Sequence, residues 1–376
     1  MKKTDVAVIG GGLSGTAVAL FLARQGVSVT LIEQFDLGTL ASGSNAGSLH
    51  VQIPFEPFLE DGEDWARAFA PVIPLLLRSI EMWKELSVEL SHDFEVDTPG
   101  ALMVAETDEQ MRHLERKARI ERAAGLAIDL LDRAALRAKA PYLSEHLVGA
   151  NFCAVEGKAN PLGASNVMGQ AATQAGATIL RQTTVTRIDR SGDSYTIDTS
   201  AGPIAARRVV NCAGADAARI AAMVGLDIAL QGFPIQVNVT EPVEPLVKHL
   251  IYSAGVRLTL KQTRLGALLI GGGYAARWDA ANRRPVVNLE SLRDNVAAAV
   301  KTVPGLAGVS VIRTWPAIVN GTADWRPILG EAPNAKGFYC CLFPWLGFTA
   351  APYSAKLVAD AVLGKPPPNA LAQFFL

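Results

Sequence analysis

Three glycines near the amino terminus are spaced in a way that favours binding of a phosphate-containing cofactor. Gly10, Gly12 and Gly15 form the pattern G-x-G-x-x-G. The first glycine of this pattern permits a tight turn, the second lets the backbone approach a pyrophosphate, and the third lets a helix pack closely on a strand. The N–H groups and the positive end of the following helix would then face the phosphates. The spacing therefore predicts a dinucleotide site.

The residues around these glycines supply the elements that the site requires. Residues 5–9 are a β-branched apolar run that predicts a buried parallel strand, and residues 16–23 predict a helix that ends at Gly26. Residues 28–32 predict the next strand, which Glu33 closes. A carboxylate at that position can accept hydrogen bonds from a ribose 2′-OH, and it argues against a 2′-phosphate.

The same amino-terminal stretch has no charge between Asp5 and Arg24, a feature shared with signal peptides and membrane spans. However, Asp5 interrupts the basic start, and four glycines divide the apolar stretch into a strand and a helix. Strand–turn–helix–strand is the context that the dinucleotide motif demands, so we favour that interpretation.

Composition narrows the class of protein. The chain has 376 residues, of which 49% are apolar and 19% charged, so it can fold as two domains with large cores. A net charge of −1 indicates neither nucleic-acid binding nor an anionic membrane surface, and we expect a soluble cytoplasmic protein without a membrane span. The four cysteines show no C-x-x-C spacing, which fits a reducing compartment and predicts no metal site.

Two later segments repeat the strand–turn–helix pattern. Residues 209–216 form an apolar strand followed by small residues, as expected where the other side of an extended cofactor passes, although a plain strand–helix connection is an equal alternative. Near the carboxyl terminus, residues 338–343 predict a strand, 344–349 a turn and 352–363 a helix, with Thr349 near its N-cap. The start of such a helix could stabilise negative charge on a cofactor.

Between these segments, residues 231–319 alternate in the manner of antiparallel strands and predict a second domain. Arg257, Lys261 and Arg277 lie in this region and are candidate contacts for a substrate carboxylate, although most such residues are simply exposed. His50 is the only histidine near the expected cofactor, and it is a candidate for a catalytic or substrate-binding role or a structural residue.

With these elements in place, the chain resembles the D-amino-acid oxidase/sarcosine oxidase family of FAD enzymes over nearly its whole length. The resemblance rests on G-x-G-x-x-G with Glu33, Ser44–Gly47, Val209–Gly214, Trp315, Asp324-x-x-Pro327-x-x-Gly330 and Gly347–Thr349. Within the family the chain is most similar to the β subunits of hetero-oligomeric opine oxidases and D-hydroxyproline dehydrogenases, through Val51-Gln52, Leu258–Arg264 and Leu346–Thr349.

The resemblance implies an α/β plus β architecture: a Rossmann-like FAD-binding domain of the glutathione-reductase type and an antiparallel-sheet substrate domain. Residues 1–90, 145–222 and 320–376 would form the first domain, and residues 91–144 and 223–319 the second. The implied cofactor is FAD rather than NAD. The residues implied to contact FAD are Gly10, Gly12, Leu13, Ser14, Gly15, Glu33, Gln34, Ser42, Ser44, Asn45, Ala46, Gly47, Leu49, Val185, Cys212, Ala213, Gly214, Gly347, Phe348 and Thr349.

The resemblance also implies a reaction. The α-C–H bond of an amine would deliver hydride to flavin N5, and water would hydrolyse the resulting imine. Negative charge at the flavin pyrimidine would be stabilised by the helix beginning near Ala350 and by the N–H groups of Phe348 and Thr349. One helix end is worth only about 0.3–2 kcal/mol, so these hydrogen bonds must share the work. The cofactor carries the chemistry, and no protein nucleophile or metal is needed.

Departures from the family pattern point away from a stand-alone oxidase. The arginine that free-standing glycine and D-amino-acid oxidases place shortly after the Trp315 region is absent, and Arg326 is shifted from it. Residues 268–270 are apolar where monomeric sarcosine oxidases present an oxygen-activating lysine. No histidine lies between His146 and His249, so the covalent FMN link of heterotetrameric sarcosine oxidases is not expected.

The hypothesis from sequence is therefore a dehydrogenase subunit that oxidises the C–N bond of an opine, D-hydroxyproline or similar secondary amino acid. Its electrons would leave through α and small Fe–S partner subunits, with FMN at a subunit interface as a further option. The alternatives are a stand-alone glycine or D-amino-acid oxidase, a cyanide-synthase flavin subunit, an NAD-dependent dehydrogenase, or a non-catalytic assembly subunit stabilised by FAD.

Overall fold

A computed structural model describes residues 1–376 and consists of two eight-stranded sheets with helices around them. The strands are β1 (Lys2–Ile9), β2 (Val29–Ile32), β3 (Ser48–Leu49), β4 (Ala101–Ala105), β5 (Asp129–Asp132), β6 (Gly149–Cys153), β7 (Gly157–Lys158), β8 (Thr178–Leu180), β9 (Val185–Ser191), β10 (Ser194–Thr199), β11 (Ile204–Asn211), β12 (Gln231–Pro242), β13 (Leu250–Ser253), β14 (Thr259–Gln262), β15 (Ala267–Gly271), β16 (Arg277–Asp279), β17 (Arg284–Val286), β18 (Val311–Gly321), β19 (Ile328–Glu331) and β20 (Phe338–Leu342). The helices are α1 (Leu13–Ala23), α2 (Ala41–Ser44), α3 (Phe55–Phe69), α4 (Ile73–Glu89), α5 (Asp108–Ala123), α6 (Arg133–Lys139), α7 (Ala164–Gln174), α8 (Ala217–Ala222), α9 (Leu289–Thr302) and α10 (Gly347–Val362).

The first sheet has the strand order β19-β20-β11-β1-β2-β8, and the strands from β20 to β8 run parallel. β1 lies at its centre, where Val6, Ala7 and Val8 are completely buried because α1, α7 and α10 stack beside the sheet. This confirms the predicted Rossmann-like domain. The hairpin β9–β10 pairs antiparallel with β11 and extends the sheet at one side.

The second sheet has the order β18-β12-β15-β14-β13-β4-β6-β5. All neighbours are antiparallel except β13 and β4, which pair in parallel from Leu250↔Ala101 to Ser253↔Val104. This parallel pair joins the two chain segments that build the sheet. Because Gly149–Cys153 pairs with β4 here, we propose a boundary of the FAD-binding domain after residue 153 rather than at residue 145.

The last helix begins earlier than the sequence predicts. The turn was expected over residues 344–349 and the helix from residue 352, but α10 begins at Gly347 and contains Pro352 in its interior. Proline has no N–H to donate to the carbonyl four residues earlier, here that of Phe348. The indole Nε1 of Trp83 donates to the Phe348 carbonyl instead, at 3.2 Å, which compensates for the missing bond.

No helix of the structure is both long enough and apolar enough to span a bilayer.

Candidate active site

The glycine turn lies where β1 ends and α1 begins, and it has no room for side chains. Gly10 has φ +107°, and a Cβ on it would lie 2.4 Å from the Cys212 carbonyl oxygen. A Cβ on Gly15 would lie 1.9 Å from the Gly10 carbonyl oxygen. The turn after β11 therefore sits directly against the glycine turn, as the repeated strand–turn–helix pattern suggested. Gly12 precedes α1 with no side-chain cap, so the helix start is open to a ligand.

Glu33 is 8% exposed, and it braces the turn from the end of β2. Its Oε2 accepts a hydrogen bond from Gly11 N at 2.6 Å, and its Oε1 accepts from Phe35 N at 2.7 Å. The Glu33 carbonyl accepts from Thr183 N at 2.8 Å, which brings the segment leading to Val185 alongside it. The structure thus groups the candidates for the pyrophosphate, ribose and adenine regions of a dinucleotide along the carboxyl edge of the parallel sheet.

The segment from Ala41 to His50 links the starts of two helices. At one end Ser42 Oγ accepts from Leu13 N, in the first turn of α1, at 2.9 Å. At the other end Thr349 Oγ1, in the first turn of α10, accepts from His50 N at 2.9 Å. This segment, which we call the cofactor loop, therefore connects the amino-terminal glycine turn to the carboxy-terminal helix. The two regions lie close together, as the FAD prediction requires.

Side chains from within and outside the cofactor loop hold its shape. Asn45 Nδ2 donates to the Ser42 carbonyl at 2.7 Å, and Asn45 Oδ1 accepts from Gly47 N at 2.7 Å. Trp315, on β18 of the second sheet, donates from Nε1 to the Ser44 carbonyl at 2.7 Å. These local bonds give a physical reason for the Ser44–Gly47 motif, and the indole ties the loop to the second sheet.

A cavity of about 780 Å³ lies between the cofactor loop and the second sheet. Its mouth is aromatic: Trp325 and Trp345 stack with their rings 4.9 Å apart, and Phe233 packs against Trp345 at 4.7 Å. Both tryptophans have a positive φ, +61° and +60° respectively. That backbone conformation is strained for a bulky residue, and such strain concentrates at functional sites.

His50 lines the cavity and contacts a residue that sequence reasoning missed. Its Nδ1 lies 2.5 Å from the hydroxyl oxygen of Tyr252, on β13. Burial, with a smaller contribution from the charge of Lys261, lowers the pKa of His50 to about 3, so the ring is neutral at physiological pH. Burial and then the charge of Glu156 raise the pKa of Tyr252, so its hydroxyl keeps its proton.

The three basic candidates occupy different positions. Arg257 lines the cavity, where its Nε donates to Glu56 Oε1 at 2.8 Å. Lys261 is 2% exposed and donates to Ser48 Oγ at 2.6 Å, behind the cavity wall. Burial, and then the charge of Lys158, lower the pKa of Lys261 to about 7. Arg277 lies exposed on β16 away from the cavity. The shifted Arg326 also lies outside it, with Nη2 3.3 Å from the Gln373 carbonyl.

A buried charged network lies under the residues that follow His50. Glu156 Oε1 accepts from the backbone N–H groups of Val51 and of Gln52, the latter at 2.7 Å, and Glu156 Oε2 accepts from Gln52 Nε2 at 2.8 Å. Lys117 Nζ, on α5, contacts Gln52 Oε1 at 3.2 Å and Glu121 Oε1 at 2.5 Å.

The charge run of α5 is predicted from the sequence to be a solvated surface. That prediction is wrong for Lys117 and Glu121, which are completely buried. Their i,i+4 spacing was visible in the sequence, but nothing local showed that this face of the helix turns inward. Tyr252 and Glu156 carried no motif either. Gln52 was visible only as part of Val51-Gln52.

A second groove, of about 890 Å³, opens at the other end of α1 near Arg24. Its charged side chains are paired with one another, as in the Lys365–Asp360 contact at 3.1 Å. An 11-residue helix is about 16 Å long, so this groove is remote from the glycine turn. We therefore assign the active site to the cavity beside the cofactor loop.

The residues at the glycine turn fit FAD. The side-chain-free cradle of Gly10, Gly12 and Gly15, the open start of α1 and the Glu33 carboxylate suit the pyrophosphate and ribose. The cofactor loop continues from this cradle to Thr349, next to the cavity, so an extended dinucleotide would reach the substrate region.

Comparison with known proteins agrees with this assignment. Glycine oxidase from Geobacillus kaustophilus (strain HTA426) is 29% identical over the whole chain and 97% of its own length. One of the named subunits of opine oxidase from Rhizobium meliloti is 28% identical over 96% of this chain and 94% of its own. The crystal structure of L-proline dehydrogenase from P. horikoshii superposes with a TM-score of 0.86 at 25% identity, covering 99% of this chain and 96% of that one.

The sequence profile of the family described as DAO, FAD dependent oxidoreductase, matches residues 5–361. Since this match spans nearly the whole chain and the cradle fits the cofactor, the chain belongs to the DAO family of FAD-dependent oxidoreductases.

Proposed function

We propose that this chain is the catalytic subunit of an amine dehydrogenase that oxidises the C–N bond of a secondary amino acid, such as an opine or D-hydroxyproline. The observation that carries the proposal is the position of the cavity, with the cofactor loop and Thr349 on one side and the side chains of the second sheet on the other. FAD, when bound, accepts the two electrons and the hydrogen of the substrate C–H bond.

The cavity wall supplies groups suited to a carboxylated amine. Arg257 can hold a carboxylate by its guanidinium group after Glu56 is displaced. The neutral His50 ring offers a hydrogen-bond partner to the amine. The aromatic mouth of Phe233, Trp325 and Trp345 excludes water and favours an apolar substituent on the substrate.

Two kinds of relative support different electron acceptors. The similar chains of opine oxidase from Rhizobium meliloti and of sarcosine oxidase from Arthrobacter sp are both named as subunits, which supports electron transfer to partner chains. Glycine oxidase, similar over the whole chain, favours a second candidate, an enzyme that reacts with oxygen by itself. We prefer the dehydrogenase with partner chains, because the carboxylate-binding arginine expected in a stand-alone oxidase is missing after Trp315.

A flavin-bleaching experiment tests the proposal. The purified, FAD-loaded chain is mixed anaerobically with a panel of sarcosine, glycine, D-proline, D-hydroxyproline and N-carboxyalkyl amino acids. We expect a secondary amino acid to bleach the flavin absorbance fastest and oxygen to restore it slowly. Absence of bleaching by every amine contradicts the proposed reaction. Fast bleaching followed by rapid peroxide formation in air supports the stand-alone oxidase instead.

A further inference from the structure

The contacts around His50 fix which of its ring nitrogens carries the proton. Glu156 is completely buried, and a carboxylate can only accept hydrogen bonds. A hydrogen bond between Glu156 and the Tyr252 hydroxyl contributes to raising the pKa of Tyr252, after burial and the Glu156 charge. Tyr252 has one proton and directs it to Glu156, so its oxygen must accept from His50 Nδ1–H at 2.5 Å. His50 Nε2 is then unprotonated, with its lone pair left for the cavity.

The far end of this chain of contacts is short of positive charge. Glu156 and Glu121 are both completely buried, and Lys117 is the one ammonium group that contacts this network. Glu121 Oε2 has no hydrogen-bond partner. Two buried carboxylates beside one ammonium favour uptake of a proton. Burial raises the pKa of both Glu156 and Glu121, which agrees with this charge balance.

We infer that Glu156 is the buried proton acceptor of the active site and that the proton of the substrate ammonium group reaches it through His50 and Tyr252. The inference rests on the proposed function, because the donor is the amine substrate. The ammonium N–H bond breaks as His50 Nε2 gains the proton, His50 Nδ1–H passes its proton to the Tyr252 oxygen, and the Tyr252 O–H proton moves to Glu156. No electrons are exchanged, and the amine keeps the lone pair that its oxidation requires.

Other titratable groups surround this relay and must be considered with it. Lys261 and Tyr252 act on His50. Glu156 is surrounded by Tyr252, by Lys117 from α5 and by Cys153 at the end of β6. None of these groups bonds to His50 Nε2, so the amine has direct access to the start of the relay.

A spectroscopic experiment tests the direction of the relay without any substrate. The chain has five histidines, so selective ¹⁵N-histidine labelling of the FAD-loaded protein gives a spectrum simple enough to assign. His50→Asn identifies the His50 signals by their loss. We expect the proton on Nδ1 and a bare Nε2. A proton on Nε2 would overturn the relay, because that nitrogen could not accept another.

A kinetic experiment tests the relay with the amine that bleaches the flavin fastest. We expect Tyr252→Phe and Glu156→Gln to slow anaerobic flavin reduction about 10–100-fold at pH 7, with recovery at higher pH, where the free amine needs no acceptor. The matched control is Tyr142→Phe, since Tyr142 and His249 form a similar pair at 2.8 Å outside the cavity. An unchanged rate and pH profile in Tyr252→Phe would exclude the relay. If no amine bleaches the wild-type flavin, the proposed function fails, and the spectroscopic experiment still decides the tautomer.

Discussion

The two sheets present functional groups to the active site in opposite ways. The parallel sheet offers backbone: at Gly10, Gly12 and Gly15 the absence of a side chain is itself the functional feature. The second sheet offers side chains, such as Tyr252 and Arg257, that point into the cavity from β13 and the turn after it. A cradle built from backbone tolerates no added atom, whereas a wall built from side chains can be retuned one residue at a time.

The sharpest way to break this comparison is to add one methyl group to the cradle. We expect Gly15→Ala to abolish FAD binding, with at least a 100-fold weaker affinity, because the new Cβ would lie 1.9 Å from the Gly10 carbonyl oxygen. Fluorescence titration of the apoprotein with FAD measures the effect. Gly26→Ala is the matched control: Gly26 has φ +75° with no atom within 4 Å of the added Cβ. It should cost about 1–2 kcal/mol of stability and leave the FAD affinity unchanged. A yellow, fully loaded Gly15→Ala protein would refute the assignment of the cradle.

Lys261 shows how the second sheet influences the cofactor loop through a buried charge. Its folded-state pKa of about 7 lies below the ordinary value of 10.5. Between those values the unfolded chain binds a proton that the folded chain lacks, so the free energy of unfolding rises with pH from about 7 to about 10.5. Each unit of pKa shift is worth about 1.4 kcal/mol, so this rise is on the order of several kcal/mol.

We expect Lys261→Met to be more stable than the wild type at pH 7 and to lack this rise. Denaturant unfolding at pH 7 and pH 10 measures both effects. Lys336→Met removes a lysine whose side chain is 76% exposed and should behave as the wild type does. Equal pH slopes for wild type and Lys261→Met would mean that Lys261 keeps its charge in the folded protein.

Glu33 tests whether the carboxylate at the end of β2 serves the cofactor as well as the fold. An amide has one accepting oxygen, so Glu33→Gln leaves either Gly11 N or Phe35 N without its acceptor. We expect a loss of about 1–3 kcal/mol of stability and roughly tenfold weaker FAD binding. Glu331→Gln is a matched control in the same sheet, because Glu331 Oε1 accepts from Gly337 N at 2.6 Å away from the cradle. It should lose stability but keep its FAD affinity, and equal FAD affinities in the two variants would show that Glu33 is purely structural.

The same contrast explains what could be predicted from the sequence. The glycine turn and Glu33 lie within 24 residues of one another, so their spacing reports their geometry directly. His50 and Tyr252 are 202 residues apart, and their contact depends on how two sheets pack together. Lys117 was misjudged for the same reason, since burial of one face of α5 is decided by the elements packed on it. The early start of α10 was missed because Pro352 indicated a helix boundary, while Trp83 from α4 satisfies the carbonyl that proline leaves free.

The smallest effects are expected at the rim of the cavity, where Glu56 and Arg257 form an ion pair with side chains 45% and 54% exposed. Such pairs contribute about 0–1 kcal/mol, so neither variant should change stability measurably. If Arg257 holds the substrate carboxylate, Arg257→Met should raise KM about tenfold, one hydrogen-bonded charge contact. Glu56→Gln should lower KM about two- to fivefold, since it frees the guanidinium from a competing anion.

These opposite shifts distinguish a binding role from general damage to the rim. Arg264→Met is the matched control: Arg264 pairs with Asp93 at 2.5 Å and is similarly exposed, but it lies outside the cavity. It should leave KM unchanged. If Arg257→Met and Glu56→Gln both raise KM, the pair acts as a structural clasp of α3 on the second sheet, and another group must hold the carboxylate. If only Glu56→Gln lowers KM while Arg257→Met has no effect, the substrate is repelled by Glu56 without contacting Arg257. Opposite shifts alone establish that this wall selects its substrate through a side chain, in contrast to the backbone cradle across the cavity.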